Sequence, residues 1–384
     1  MNSTPSAHLS AVLYTQIRGH ARRSNPFYAR WIPPNGIPPV LDRRTALEHN
    51  DEILNGAIPT GTTSGSIGVP FRYAHSPDWT RRAARDLYMF VAELGGPLPT
   101  VQILPTRHGP VPPLFVSVST PVEEQLAFIL RHRDTSWVTA ITTLPTNAEM
   151  LAELVLERGI ETSFVTRFGT MSETLQDYQR DRIKRAFPNA KLWSTYSSLE
   201  FGFIATSCPH VEGYYHVMSH RLGVEILRDD GTPVQPGEPG QIYVSDYYNR
   251  LAPLIRYELG DIVQAAECPC GRWDGMALGR IHGRVAGTIT LRDGSRMLSA
   301  NLSVDIRETP GVRQYQIVQN DIEDMTIKLV SDSNHDERMR ALVQDHLGYR
   351  PHRLQIDYVA EIPRGPGGKL RTTINNVARM NGAS

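Results

Sequence analysis

The sequence is short of cysteine, of unbalanced charge and of long apolar runs, and each shortage removes a class of protein. Three cysteines in 384 residues, Cys208, Cys268 and Cys270, are too few and too unevenly spaced for a disulfide framework, which points to a reducing compartment. Lys+Arg 40 against Asp+Glu 40 leave a net charge of +0. With no long basic run, neither a phosphate backbone nor an anionic bilayer surface has a source of attraction, so no nucleic-acid and no membrane partner is expected. No stretch reaches the ~20 consecutive apolar residues of a bilayer-spanning helix. The start, MNSTPSAHLS, lacks a basic segment followed by an apolar core, and the expected location is cytoplasmic. What is present is a globular composition, 40% hydrophobic and 21% charged, at a length that suits roughly two or three cores.

Leu9, Val12, Leu13, Ile17 and Ala21 recur at helical spacing and predict a helix over 8–23 that packs as a lid over a domain edge. A proline-rich stretch leads to a glycine-rich loop from Gly61 to Pro70. The spacing then predicts a helix at 78–94, strand VSVST, a helix at 121–132, strand WVTAITT from Trp137, a helix at 147–158, strand SFVT, a helix at 172–186 and strand KLWSTY. Strands alternating with helices imply an α/β sheet that is at least partly parallel. After residue 200 strands and turns take over, in YYHVMS, GVEILRD, the Asp230-Gly231 turn and QIYVSD. A smaller unit begins near 284, with TITL, a helix from about 299, RQYQIVQN, MTIKLVS, a helix at 334–347 and LQIDYVAEI.

Five motifs, in chain order, point to chemistry. The loop from Thr62 to Pro70 holds Thr63, Ser64, Gly65, Ser66 and Gly68, hydroxyls on flexible backbone that suit phosphate oxygens, although a surface turn has the same composition. It lacks the GxxxxGK[ST] spacing of a Walker loop. Tyr196-Ser197-Ser198-Leu199-Glu200 puts an aromatic ring and a carboxylate after a strand, where open α/β sheets bind ligands and a carboxylate can hold Mg²⁺. PLIRYELGDIV carries Asp261 after Gly260, suited to a ribose diol; Gly283-Arg284 is the fourth motif, and IPRGPGGKLRTTI with Lys369 the fifth.

In this order the motifs resemble those of the adenylate-forming (acyl-CoA synthetase/ligase) superfamily, and the chain is most similar to its phenylacetate–CoA ligase branch. NPFYARW resembles that branch's amino-terminal SPFY segment, TTLPTNAEMLAEL its proline-containing strand-to-helix segment and ECPCGR its cysteine pair, so the likeness runs over nearly the whole chain. The resemblance implies a large α/β amino-terminal domain of mixed sheets and helices over 1–284, binding ATP and acid, and a small α+β mobile lid domain over 285–384. It implies ATP-dependent adenylation of an aryl carboxylic acid with release of pyrophosphate, followed by transfer to CoA or to an acceptor enzyme. Carried over, Ser64, Gly65, Ser66 and Gly68 cradle the β- and γ-phosphates, Tyr196 lies near the adenine, and Glu200 reaches Mg²⁺. Asp261 binds the ribose, Arg284 contacts the nucleotide, and Lys369 bridges the carboxylate and the α-phosphate. A preorganised cation where charge accumulates is worth several kcal/mol to a barrier.

The departures are specific. Val69 stands where the family loop carries Lys, Ile67 replaces a Thr, Ser197 and Leu199 replace the Gly and Thr of YGxTE, and Ala286-Gly287 replaces an acidic pair at the hinge. A Gly-Glu pair upstream of the helix from 172 is missing, with Phe168-Gly169 near its place. These changes bear on thioester formation more than on adenylation, and they resemble the subgroup of antibiotic (phenazine) pathways, where the adenylate passes to a partner enzyme. Activation of another oxyanion such as nitrite, or nucleotide binding without turnover, are the alternatives. Phe168, Tyr196 and Phe201 suit a flat aromatic acid, and core packing explains them equally. A homodimer is expected.

Cys268-Pro269-Cys270 is tighter than the usual zinc spacing. With Cys208 it needs one histidine, His210, His216 or His220, to complete a Cys₃His set; three buried thiols is the other reading. The family's pattern of Cys, Gly, an apolar residue and His favours His216, giving a closed, structural zinc site of Cys208, His216, Cys268 and Cys270.

Overall fold

The computed structural model describes residues 5–63, 70–105, 113–135, 137–228, 230–273, 275–284, 287–363 and 371–377. The chain forms two compact units, Met1–Ile281 and His282–Ser384.

The first unit is organised by a sheet of eleven strands among the described residues. From edge to edge these are Leu222–Leu227, Pro239–Asp246, Tyr257–Ala266, Ala277–Arg284, Tyr215–Val217, Gly202–Ser207, Lys191–Ser198, Arg167–Thr170, Ala140–Thr143, Thr100–Leu104 and Phe115–Ser117. From Lys191–Ser198 to the Phe115 edge every pairing is parallel. The helices Val122–Thr135, Pro145–Arg158 and Asp177–Ala186 lie in sequence between those strands. In the other half, Pro239–Asp246 pairs antiparallel with Leu222–Leu227 and Tyr257–Ala266, and Tyr215–Val217 with Ala277–Arg284 and Gly202–Ser207. Lys191–Ser198 is the junction: residues 191–194 pair in parallel with Arg167–Thr170, and 195–198 pair antiparallel with Gly202–Ser207. Ligands of open α/β sheets gather beyond strand carboxyl ends where the strand order switches, and this strand ends beside Glu200.

Local chemistry sets the element ends. Pro145 opens its helix at a position that needs no N–H donor, and Gly159 closes it in the left-handed region at φ 60. Gln176 and Gln179 form a reciprocal capping box on the next helix. Asn25 accepts from the backbone of Phe27 and Tyr28, which starts the short helix Pro26–Trp31. The amino-terminal helix Pro5–Ser24 buries Leu13, Ile17 and Ala21 in the core and contacts the edge strand Leu222–Leu227, whereas Leu9 and Val12 face out.

Three sequence expectations shift. The segment SFVT is a turn with Val165 buried, and the strand is Arg167–Thr170, where Gly169 leaves room for the Trp193 ring. Trp137 is 81% exposed, and its strand starts at Ala140. The helix predicted from 172 starts at Asp177. Phe168 and Phe201 are wholly buried in two different core clusters, so neither lines an aromatic pocket, and hydrophobic packing accounts for both.

The second unit contains a four-stranded sheet in the order Arg353–Tyr358, Asp324–Ser331, Val312–Asp321, Thr373–Asn375. The helices Ala300–Arg307 and Asp336–Leu347 pack on it around Leu302, Ile306, Ile317, Ile327, Leu329, Met339 and Val343. This is a small α+β core of its own.

Candidate functional site

Two clusters of polar side chains stand out in the first unit. The first gathers at the end of the junction strand. Tyr196, on that strand, donates its hydroxyl to Asp261 Oδ2 at 2.7 Å. Asp261 lies on Tyr257–Ala266 directly after Gly260, whose φ of +74 is one that glycine adopts without strain. Glu200 follows in the tight turn before Gly202–Ser207 and is 7% exposed. Tyr257 Oη lies 3.5 Å and Arg43 Nη1 3.9 Å from its Oε1. Arg43 also donates to Tyr257 Oη and Thr63 Oγ1, each at 3.0 Å.

The backbone of Glu200 is held separately. His75 Nε2 bonds its carbonyl at 2.8 Å, and since a carbonyl only accepts, the proton is on Nε2. Burial lowers the His75 pKa and keeps the ring neutral. The ring stacks on Trp79 at 3.4 Å, and the Trp79 indole N–H donates to Asp246 at 2.5 Å. Asp246 in turn faces Arg221, which is 1% exposed and donates to Asp86 Oδ2 at 2.6 Å. Burial alone would raise the Asp86 carboxyl; the His220 hydrogen bond and the Arg221 guanidinium outweigh it and hold the group below the usual range.

The second cluster is made by Cys208, His216, Cys268 and Cys270, whose ligand atoms all lie within 4.8 Å of one another. They come from the end of Gly202–Ser207, from Tyr215–Val217 and from the turn after Tyr257–Ala266. Cys270 Sγ and His216 Nε2 are 3.5 Å apart, close to the ~3.5 Å edge of a tetrahedron with zinc–sulfur and zinc–nitrogen bonds. Backbone N–H groups point at sulfur: His210 and Val211 at Cys208, at 3.4 and 3.3 Å, and Arg272 at Cys270, at 3.4 Å. Such donors favour thiolate. Cys270 is pulled down in pKa by the Arg272 N–H, whereas burial pushes Cys268 up to about 12. A dication held by these residues would take all three sulfurs as thiolates. His220 pairs with Asp86 instead, so of the three candidate histidines His216 is the one in the cluster. A cavity of about 540 Å³ lies nearby, lined by Asp177, Arg180, Tyr214, Gln264, Glu267 and Arg280 among others; it includes none of the expected nucleotide residues.

Of the residues expected from sequence, the structure joins Tyr196 and Asp261 by a hydrogen bond, leaves Glu200 in the turn after the Tyr196 strand, and puts the four metal-type ligands together. Arg284 is exposed at the end of Ala277–Arg284. Ser64, Gly65, Ser66, Gly68 and Lys369 lie outside the described residues. Sequence reasoning missed Arg43, Tyr257 and His75. Tyr257 sits inside the quoted motif PLIRYELGDIV, but Arg43 follows its helix N-cap as one of two adjacent arginines with nothing to mark it.

The comparisons bear on this arrangement. A structure of 2-hydroxyisobutyryl-CoA ligase in the postadenylation state, in complex with 2-HIB-AMP, superposes with a TM-score of 0.75 over 99% of this chain and 93% of that one, at 17% identity. This chain has the fold of the adenylate-forming ligases. The same fold relates it to the amide bond synthetase McbA from Marinactinospora thermotolerans, with a TM-score of 0.55 at 20% identity over 80% of this chain and 66% of that one. Residues 289–376 match the CapK C-terminal domain family. Protein CapK of Staphylococcus aureus is 28% identical over 214 residues, which are 54% of this chain and 45% of CapK, so the match spans under half of that relative.

Proposed function

We propose that the protein is an ATP-dependent carboxylate-adenylating ligase. The observation that carries the reading is the junction-strand cluster, in which the strand Tyr257–Ala266 meets Tyr196 through Asp261 and approaches Glu200 through Tyr257, in the adenylate-forming fold. A carboxylate oxygen attacks the α-phosphorus of ATP, the bond to the β-phosphate oxygen breaks, and pyrophosphate leaves. Asp261, steadied by Tyr196, accepts from the ribose hydroxyls. Glu200 is the carboxylate that holds Mg²⁺, an ion that suits one or two carboxylates beside substrate phosphates. The reading gives the hydroxyls of Ser64 and Ser66 to the phosphates, Arg284 to the nucleotide, and Lys369 to the charge that builds during attack.

The finer parts of the proposal are an aryl acid as substrate, transfer of the acyl group to CoA or an acceptor enzyme in a specialised pathway such as antibiotic biosynthesis, a cytoplasmic homodimer, and one structural zinc at Cys208, His216, Cys268 and Cys270. Pyrophosphate release measured across a panel of aromatic and aliphatic acids, with and without CoA, tests the substrate and acceptor together. Acid-dependent release that continues without CoA and yields no thioester selects an acceptor enzyme. Failure of every acid in the panel to support release rejects the carboxylate and leaves nucleotide binding alone or another oxyanion.

A further inference from the structure

Arg43 is a cation in an unusual position. Its side chain is 14% exposed, and a buried guanidinium is costly unless its charge and its donors are met. Two donors are met by neutral hydroxyls, those of Tyr257 and Thr63. Its guanidinium pairs with Glu200 at 3.9 Å, beyond hydrogen-bond reach, while Glu258 Oε2 accepts from its backbone N–H at 3.2 Å. The Nε atom is buried without a hydrogen-bond partner. A residue that served only to tie two hydroxyls together could be neutral.

Its location gives the charge a purpose. Thr63 N–H donates to Phe71 O at 2.9 Å and Thr63 Oγ1 accepts from Phe71 N–H at 3.3 Å, which closes the base of the hydroxyl-rich loop. Arg43 thus stands between that base and Glu200. Other arginines close by in sequence to this cluster are committed: Arg256 to Glu225 at 2.8 and 3.0 Å, and Arg72 to Asp51. The loop itself has Val69 where the resembling family has lysine.

We propose that Arg43 is a phosphate-binding residue of this site. It supplies to the β- and γ-phosphates of a nucleoside triphosphate, and to departing pyrophosphate, the positive charge that the loop lacks at Val69. The proposal rests on the adenylation reading. A planar guanidinium with an unpaired Nε–H matches phosphate oxygens, and removing water from the pair strengthens it. The phosphates would then complete the charge balance that Glu200 leaves at a distance.

The test is calorimetric binding of Mg-ATP, AMP and pyrophosphate to the full chain and to Arg43→Gln and Arg43→Lys. Both variants keep a donor toward Thr63 and Tyr257. Because hydrogen bonds to charged groups are worth more than neutral ones, R43Q is expected to bind ATP and pyrophosphate at least about tenfold more weakly, with AMP within about twofold of wild type. R43K is expected to recover most of the ATP affinity. An R43Q that binds ATP as wild type does, or that loses AMP and ATP equally, overturns the phosphate role while leaving adenylation standing. A wild-type protein that binds neither nucleotide overturns both. Should R43Q not fold, Arg43→Met replaces it under the same outcomes: weaker binding of ATP and pyrophosphate with AMP near wild type supports the role, and equal loss of ATP and AMP, or none, rejects it.

Discussion

The two clusters of the first unit lie on the same antiparallel half of the sheet, yet they handle buried polar atoms in opposite ways. At the cysteine cluster the side chains converge on one point, and backbone N–H groups from adjoining turns are turned toward the sulfurs. One ion would complete it, and a closed four-ligand set leaves no position for a substrate. At the Glu200 cluster the side chains hold one another in pairs: Tyr196 with Asp261, Tyr257 with Arg43, and the Glu200 backbone with His75. The Arg43 guanidinium and the Glu200 carboxylate there stay 3.9 Å apart. On the adenylation proposal, the difference separates a joint that would fix loops from a site that would receive a substrate.

If the cysteine cluster is a joint, Cys268→Ala should remove essentially all of about one zinc per chain and lower the unfolding midpoint, since metal-binding energy is folding energy. Adenylation by the fraction that stays folded should persist. Elemental analysis with pyrophosphate exchange reads both, and a wild-type protein without zinc would reduce the cluster to packed thiols.

Lys369→Ala should cost at least ~100-fold in adenylate formation, about 2.7 kcal/mol of barrier, if the lysine meets charge that develops only during attack. ATP affinity should stay unchanged, and exchange at the wild-type rate removes the residue from the chemistry.

A smaller effect belongs to Asp261→Ala. A ribose contact made equally in ground and transition states is uniform binding, so KM for ATP should rise ~10-fold while kcat holds. An unchanged KM takes Asp261 out of the nucleotide site.

The smallest concerns His75. Its folded pKa lies below the ordinary histidine value because of burial, so the unfolded chain takes up a proton that the folded one refuses. The stability this represents is present above the ordinary histidine range and is lost as pH falls from there toward the folded value. His75→Gln should flatten the fall in the urea midpoint over that window by less than one proton's worth, and an unaltered slope would mean that the ring is not held neutral.

The sequence makes some of this legible and hides the rest for physical reasons. Alternation of strands and helices up to residue 198 and the change to strands and turns after it mark the two halves of the sheet, because side-chain period follows backbone geometry. The edges of elements are harder: SFVT has the composition of a strand but turns, and the strand is placed four residues later by the fit of Gly169 beneath Trp193. The strand Ala277–Arg284 gives little periodic signal, since only its first three residues are buried. Glu200, Asp261 and the cysteine set stand out as residue types in short motifs. Arg43 does not, since its proposed role depends on Thr63, Tyr257 and Glu200, which lie up to 214 positions along the chain. Pairwise contacts across such separations leave no local pattern. Phe168 and Phe201 show the converse: aromatic rings near a motif read as pocket walls, whereas each fills a core.

The central claim is that a carboxylate oxygen becomes bonded to the α-phosphate of ATP. An acid that supports pyrophosphate release, labelled with ¹⁸O in its carboxylate, can be turned over in the presence of hydroxylamine to capture the acyl group. Mass spectrometry of the nucleotide product should find AMP carrying one ¹⁸O atom and pyrophosphate carrying none, because the bridging oxygen stays with phosphorus when the acyl carbon is attacked. Unlabelled AMP, or ADP as the product, would contradict the account.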